Sequence, residues 1–220
     1  MPTAEARAYL ADLVKALCVH WPQNRAVNLI CHGHSVPAGY FATPRVDTFN
    51  AYPHLLHVAL KERFPFAVIN VIVTAIGGEH SESGAARFAQ VLGHRPDVVT
   101  IDYGLNDRGL GLERSRAAWC QMIEQALAAQ TRVILLTPTP DSTQRPDAPA
   151  ADQAVLRAHA QQIRDLAAHY DVGLVDSLAA FQRYTAAGGH LGDLMSWTNH
   201  PNAQGHALVA KELLRYFSYT

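Results

Sequence analysis

The sequence predicts an α/β fold, a three-layer α/β/α sandwich built on a parallel sheet of about five strands. Three observations carry this. Short runs rich in Val and Ile recur along the chain, and they are nearly continuously apolar, the pattern of strands covered on both faces. Segments with helical spacing of apolar residues separate them, so strand and helix alternate and the strands pair in parallel through right-handed crossovers. Polar, glycine-rich stretches follow several of the runs, and in such a sheet the ligand site lies beyond the carboxyl ends of the strands.

The first element is a helix: Leu10, Leu13, Val14, Leu17 and Cys18 fall at i, i+3, i+4, i+7 and i+8, a stripe that packs on a core. "AVNLIC" (26–31) is the first strand, followed by "HGHS", and His54 and His57 lie i, i+3 on a helix after it. "AVINVIVT" (67–74) is the second strand, followed by "AIGGEHS", and "DVVTID" (97–102) is the third, followed by "YGLND". "ERSRAAWCQMIEQALAAQ" (113–130) reads as a helix and "RVILLT" (132–137) as the fourth strand. The Pro- and Asp-rich "TPTPDSTQRPDAPA" (137–150) is a long loop rather than a domain linker. "AVLRAHAQQIRDLAAHY" (154–170) is a helix, "VGLVD" (172–176) the fifth strand, and "GDLMSWTNHPNAQGH" leads into a last helix. There is no internal repeat, and residues 1–220 read as a single domain, since one core commonly extends to about 200–250 residues.

Eighteen basic against nineteen acidic side chains leave a formal net charge of -1, which excludes the strong field that draws a protein to nucleic acid or an anionic membrane. A small or neutral partner fits better. The opening "MPTAEARAYLADLVKALCVH" lacks a basic segment followed by an apolar run, and no window holds the roughly 18 apolar residues of a membrane span, so the chain reads as soluble and cytoplasmic. Cys18, Cys31 and Cys120, an odd number without motif spacing, suit a reducing compartment and read as buried thiols.

The stretch "LICHGHSVPAG" (29–39) holds the chemistry that needs deciding. His32 and His34 form a His-x-His pair at a strand end, as amidohydrolase barrels begin their metal site. That architecture needs eight βα units, and no carboxylate or cysteine completes a tetrahedral set with His54 and His57, so neither a metal nor another cofactor is expected. His32, His54, His57, His80 and His94 then read as rim or surface histidines. Gly33-His34-Ser35-Val36-Pro37 also fails as an α/β-hydrolase elbow, because the closing glycine is missing and the run follows the first strand rather than a central one.

Taken together, Ser35 after the first strand, a glycine after the second, Asn106 after the third and His200 before the last helix resemble the four signature blocks of the SGNH (GDSL-type) hydrolase family. "GHS", "GGEHS" and "GLND" take the places of the family's Gly-Asp-Ser, glycine turn and Gly-x-Asn-Asp, and "HPNAQGH" is similar to its ending after the catalytic histidine. The resemblance runs from Val27 to Leu214. It implies a flavodoxin-like sandwich and a serine esterase with Ser35 as nucleophile and His200 as base. It also implies an oxyanion hole made by the backbone N–H groups of Ser35 and Gly78 and the side-chain amide of Asn106. Gly78 is preferred to Gly77 because "GEHS" is similar to the family's "GDTS" type of turn. A Ser hydroxyl needs an adjacent base to attack an ester, and an imidazole with an ordinary pKa near 6.5 suits that exchange at neutrality.

Asp107 reads as a cap or loop support, Pro201 as the first residue of the last helix, and His206 as structural. Two positions depart from the family. His34 replaces the acidic residue of the first block, and Trp197 stands three before His200 where the family has its Asp. His200 is then oriented by a backbone carbonyl, in a Ser-His dyad, or by Asp193, the nearest other acid. Trp197 is either a core-facing anchor of the last loop or a cleft wall on which a sugar face stacks. The substrate expected is a small O-acyl ester, an acetylated carbohydrate above all, because the rim segments are polar and glycine-rich. A lysophospholipase or thioesterase of the same family, or a non-catalytic sugar-binding module, are the alternatives.

Overall fold

The run after Arg25 is apolar but for Asn28, and from Leu29 on both faces of its strand are covered: Leu29 and Cys31 enter one apolar cluster and Ile30 the other. The structure is a computed structural model describing residues 6–145 and 147–219. Residues 1–5 of the opening segment and Pro146 of the long loop lie outside the described residues. In chain order the elements are α1 (Ala6–Tyr9), α2 (Ala11–Leu17), β1 (Ala26–Gly33), α3 (Ser35–Ala38), α4 (Tyr52–Arg63), β2 (Val68–Val73), α5 (Ser81–Ala86) and α6 (Phe88–Gly93). They continue with β3 (Val98–Asp102), α7 (Leu112–Ala128), β4 (Arg132–Leu136), α8 (Ala150–Tyr170), β5 (Gly173–Val175), α9 (Ser177–Ala186) and α10 (Ala203–Leu214).

The five strands form one sheet in the order β2-β1-β3-β4-β5, every neighbouring pair parallel. Residues of α2, α4, α9 and α10 fill the apolar cluster on one face; α6, α7 and the later turns of α8 fill the cluster on the other. This is the three-layer sandwich. The chain winds from β1 out to β2 and then back across to β3, so the winding direction reverses between β1 and β3, where ligands bind in such sheets.

Several elements differ from the sequence expectation. β2 is an edge strand with Val68, Asn70 and Val73 exposed, so its apolar run reflects strand propensity more than two-sided burial. The helix α8 begins at Ala150, inside the segment read as loop, and α10 begins at Ala203 with Asn202 as its cap, so Pro201 precedes the helix. Cys18 is exposed at the end of α2, Cys120 is half-buried, and only Cys31 is a buried thiol. No helix among the described residues is long and apolar enough to cross a membrane.

His32 is the clearest correction. It is fully buried rather than a rim histidine, because a pocket between β1, α5 and β3 supplies partners for both ring nitrogens: Thr74 Oγ1 at 3.0 Å, and Tyr103 Oη at 3.1 Å with the Gly84 carbonyl at 3.3 Å. Burial pushes its pKa down to about 4, so the ring is neutral and structural. His206, buried against Phe41 and Tyr52, is pushed down to about 3 for the same reason.

Candidate active site

The close approach of β1 and β3 at their carboxyl ends starts the site. Gly33 pairs with Asp102, and a Cβ at Gly33 would lie 2.4 Å from the Asp102 carbonyl oxygen, so only glycine lets the strands end this near one another. The next N–H, of His34, donates to that same carbonyl at 3.2 Å. The chain then turns at once into α3, where the His34 ring caps the turn by accepting from the Val36 N–H at 3.3 Å. Ser35 therefore sits at the first position of a short helix at the switch point, with its N–H among the orphan donors of a helix start.

His200 arrives from the far end of the sequence on a tight turn. Met195 and Pro201 bridge antiparallel, the Ser196 N–H donates to the His200 carbonyl at 2.9 Å, and Asn202 caps α10 by accepting from Gln204 and Gly205. The turn is pinned to the loop after β4 by the Ser142 N–H on the Thr198 carbonyl at 2.7 Å. The His200 ring is held at both nitrogens. Its Nε2 lies 2.9 Å from Ser35 Oγ, and its Nδ1 lies 2.7 Å from the Phe41 carbonyl oxygen. A carbonyl only accepts, so Nδ1 carries the proton and Nε2 presents its lone pair to the Ser35 hydroxyl. Both residues are buried despite their place on the rim. Desolvation is the larger influence on His200 and pulls its pKa below the ordinary value; the Phe41 hydrogen bond opposes this and the neighbouring His34 adds to it.

The second and third blocks are tied into the same rim. The Ile76 N–H donates to the Gly33 carbonyl at 3.0 Å, and the Asn106 amide donates to the Glu79 carbonyl at 2.7 Å, which ties Asn106 to the residue after the Gly77-Gly78 turn. Gly78 has φ +81°, a conformation that favours glycine. Asp107 is buried and accepts from the Ser81 N–H and the Trp119 indole N–H at 2.8 and 2.7 Å; it joins α5 to α7 and faces away from Ser35's chemistry.

The Asp193 carboxylate makes no hydrogen bond or ion pair with His200. It is exposed at the surface, where its Oδ2 accepts from the His190 N–H at 2.9 Å and the Tyr184 hydroxyl at 3.1 Å, and these bonds hold its pKa below the usual carboxylate range. Trp197 is 57 % exposed, which rules out the core-facing reading of its side chain. Among the described residues no group of three or more His, Cys, Asp or Glu side chains is arranged to hold a metal ion; His32 and His34 are engaged in separate networks.

Three participants escape sequence reading. The Phe41 carbonyl has no side-chain signature at all. Asp102 does leave a weak one, a carboxylate at the carboxyl end of a central parallel strand, but only the fold shows that Tyr52 donates to Asp102 Oδ2 at 3.3 Å and that His34 Nε2 lies 3.5 Å from Asp102 Oδ1.

Residues 31–208 match the model of the GDSL-like lipase/acylhydrolase family. Among solved structures, a catalytic mutant of an acetylxylan esterase from Geobacillus stearothermophilus superposes with a TM-score of 0.76 at 19% identity, over 92% of this chain and 97% of that one. Another structure of that esterase gives 0.74 at 21% identity, over 88% and 95%. An alpha/beta hydrolase enzyme from the metagenome of Lake Arreo, Spain, gives 0.71 at 23% identity, over 87% and 94%. At these identities the likeness speaks to the fold. A search of curated proteins returns no match.

Proposed function

The chain belongs to the GDSL-like lipase/acylhydrolase family and is a carboxylic ester hydrolase of that type, and from this premise we propose that it is a serine esterase removing small acyl groups, acetyl above all, from a carbohydrate. The observation that carries the reading is the Ser35 hydroxyl held 2.9 Å from a His200 nitrogen whose tautomer is set by the Phe41 carbonyl. In this reading Ser35 Oγ attacks the ester carbonyl carbon while its proton passes to His200 Nε2. The carbonyl π pair moves onto oxygen, and the Ser35 N–H, the Gly78 N–H and the Asn106 amide stabilise that oxyanion. Collapse breaks the ester C–O bond and the leaving alkoxide takes the proton from His200. Water, deprotonated by His200, then attacks the acyl carbon; the bond from that carbon to Ser35 Oγ breaks, Oγ takes the proton from His200, and the acid leaves.

Asn106 has its amide engaged with the Glu79 carbonyl, which aims the second N–H of the NH2 group rather than leaving it to rotate. Asn106→Ala is expected to lower kcat by about 10²–10³-fold with little change in KM, since one oxyanion donor is worth that much. Steady-state kinetics on an acetyl ester decide it; an effect confined to KM would make Asn106 a substrate-binding residue instead.

The carbohydrate assignment rests on the surroundings. A cleft of about 480 Å³ is lined by Asn106, Arg108, Thr143 and Asp152 beside Leu105 and Val155; Ser35 and His200 do not line it, and its polar side chains suit the hydroxyl groups of a sugar that extends past Asn106. The exposed Trp197 indole, on the turn that carries His200, offers the flat apolar face on which sugar rings stack. The test is to compare acetate release from acetylated xylooligosaccharides with turnover of acetyl to octanoyl esters of one leaving group. The expected result is efficient deacetylation and kcat/KM falling with chain length. A steady rise toward octanoyl would favour a lysophospholipase or thioesterase.

A further inference from the structure

Ser35 Oγ has two imidazole neighbours, not one. His34 Nδ1 lies 3.2 Å from it, against 2.9 Å for His200 Nε2. The tautomer of His34 follows from its surroundings: the Val36 N–H can only donate, so Nδ1 is the acceptor and the proton sits on Nε2, facing Asp102 Oδ1 at 3.5 Å. Asp102 and His34 are both almost wholly buried, and a buried carboxylate without a partner is costly. Among the described residues the only basic group within ion-pair distance of Asp102 is His34; the other group on it is the Tyr52 hydroxyl, at 3.3 Å on Oδ2. The order along this chain of contacts is carboxylate, imidazole, hydroxyl. It is the order of a serine triad, built from a histidine next to the nucleophile and an acid at the end of β3.

We infer that His34, backed by Asp102, is a second general base for Ser35, so that one nucleophile is served by two histidines and the missing acid of the last block is compensated at the first. The inference rests on the reading of Ser35 as nucleophile. In the step proposed, the Ser35 O–H proton moves to His34 Nδ1 as Oγ bonds to the ester carbon. His34 then carries protons on both nitrogens, and the Asp102 carboxylate stabilises that cation, which the neutral Phe41 carbonyl can do only weakly for His200. On collapse the leaving alkoxide takes the proton back. His200 remains the nearer acceptor and carries most of the flux; His34 carries the remainder.

The experiment reads nucleophile activation directly, as the rate at which a fluorophosphonate inactivates the protein, together with acetyl-ester kcat. His200→Ala is made alone and with His34→Asn, which keeps an acceptor for the Val36 N–H and removes the base. The expected result is strong non-additivity: His34→Asn slows the wild type by less than about twofold but slows His200→Ala by about 10²-fold or more, the lower range of what a positioned base supplies. Asp102→Asn should reproduce that pattern independently, and it decides the matter if His34→Asn does not fold. Equal factors in both backgrounds would make His34 a helix cap only. A His200→Ala protein no more reactive than Ser35→Ala would also overturn the second base. Labelling that survives Ser35→Ala would instead remove the nucleophile assignment beneath it.

Discussion

Ser35→Ala is expected to lower kcat on acetyl esters by about 10⁶-fold, the loss seen when a serine nucleophile acting with a base is removed. The structure explains why so small a change is so specific. The hydroxyl is the one group that both His200 Nε2 and His34 Nδ1 approach, and without it neither imidazole has a proton to accept from the attacking atom. Folding should be intact, because Ser35 heads a four-residue helix whose cap is the His34 ring and whose exit is Gly39 in the left-handed region; none of these uses the hydroxyl. The check pairs turnover with thermal unfolding and a covalent fluorophosphonate label. A folded Ser35→Ala protein with near wild-type turnover would move the nucleophile elsewhere.

His200→Ala is expected to lower kcat by about 10³–10⁴-fold, the upper range for a general base. The surface Asp193→Asn variant, by contrast, should be nearly silent, since Asp193 is occupied by the His190 N–H and the Tyr184 hydroxyl. A drop beyond about a hundredfold for Asp193→Asn would mean that its carboxylate reaches the imidazole during turnover, because loss of a triad acid can cost about 10⁴-fold. The same histidine fixes the sign of the pH dependence. His200 accepts a proton only when neutral, and burial holds its pKa below 6.5, so the acid limb of kcat/KM should lie below that value and activity should be lost as pH falls through it. A limb at or above 6.5 would show that the imidazolium is stabilised by a carboxylate rather than by the Phe41 carbonyl. The limb should disappear from residual activity in His200→Ala or be replaced by that of another base.

Much of the molecule was legible before any fold was known, for local reasons. The apolar runs of β1, β3, β4 and β5 are strands because both faces are covered, and alternation with helical stripes permits few windings. Ser35 and Asn106 were legible because they directly follow strands, where strand direction alone sets the rim on which they lie. His32 was misplaced because nothing within a few residues of it distinguishes a rim histidine from one buried with three partners.

What only the tertiary structure decided is which groups finish each imidazole. His200 meets Ser35 across 165 residues of sequence and the Phe41 carbonyl across 159, and a backbone carbonyl carries no residue-type signal to be read in advance. The acid three residues before His200 is absent from the sequence, which leaves a backbone carbonyl or Asp193, the nearest other acid, to orient the ring. In space the turn from Met195 to Pro201 is closed by its own hydrogen bonds, and the imidazole it carries bonds to the Phe41 carbonyl and Ser35 while Asp193 bonds to His190 and Tyr184. Asp102 comes to His34 because Gly33, lacking a side chain, lets the ends of β1 and β3 close up. Sequence determined the strands, the layers and the residues presented on one rim, since these follow from periodicity and chain direction. The hydrogen-bond partners that set tautomer, charge and base strength follow from contacts between distant segments, and those exist only once the sheet has brought the segments together.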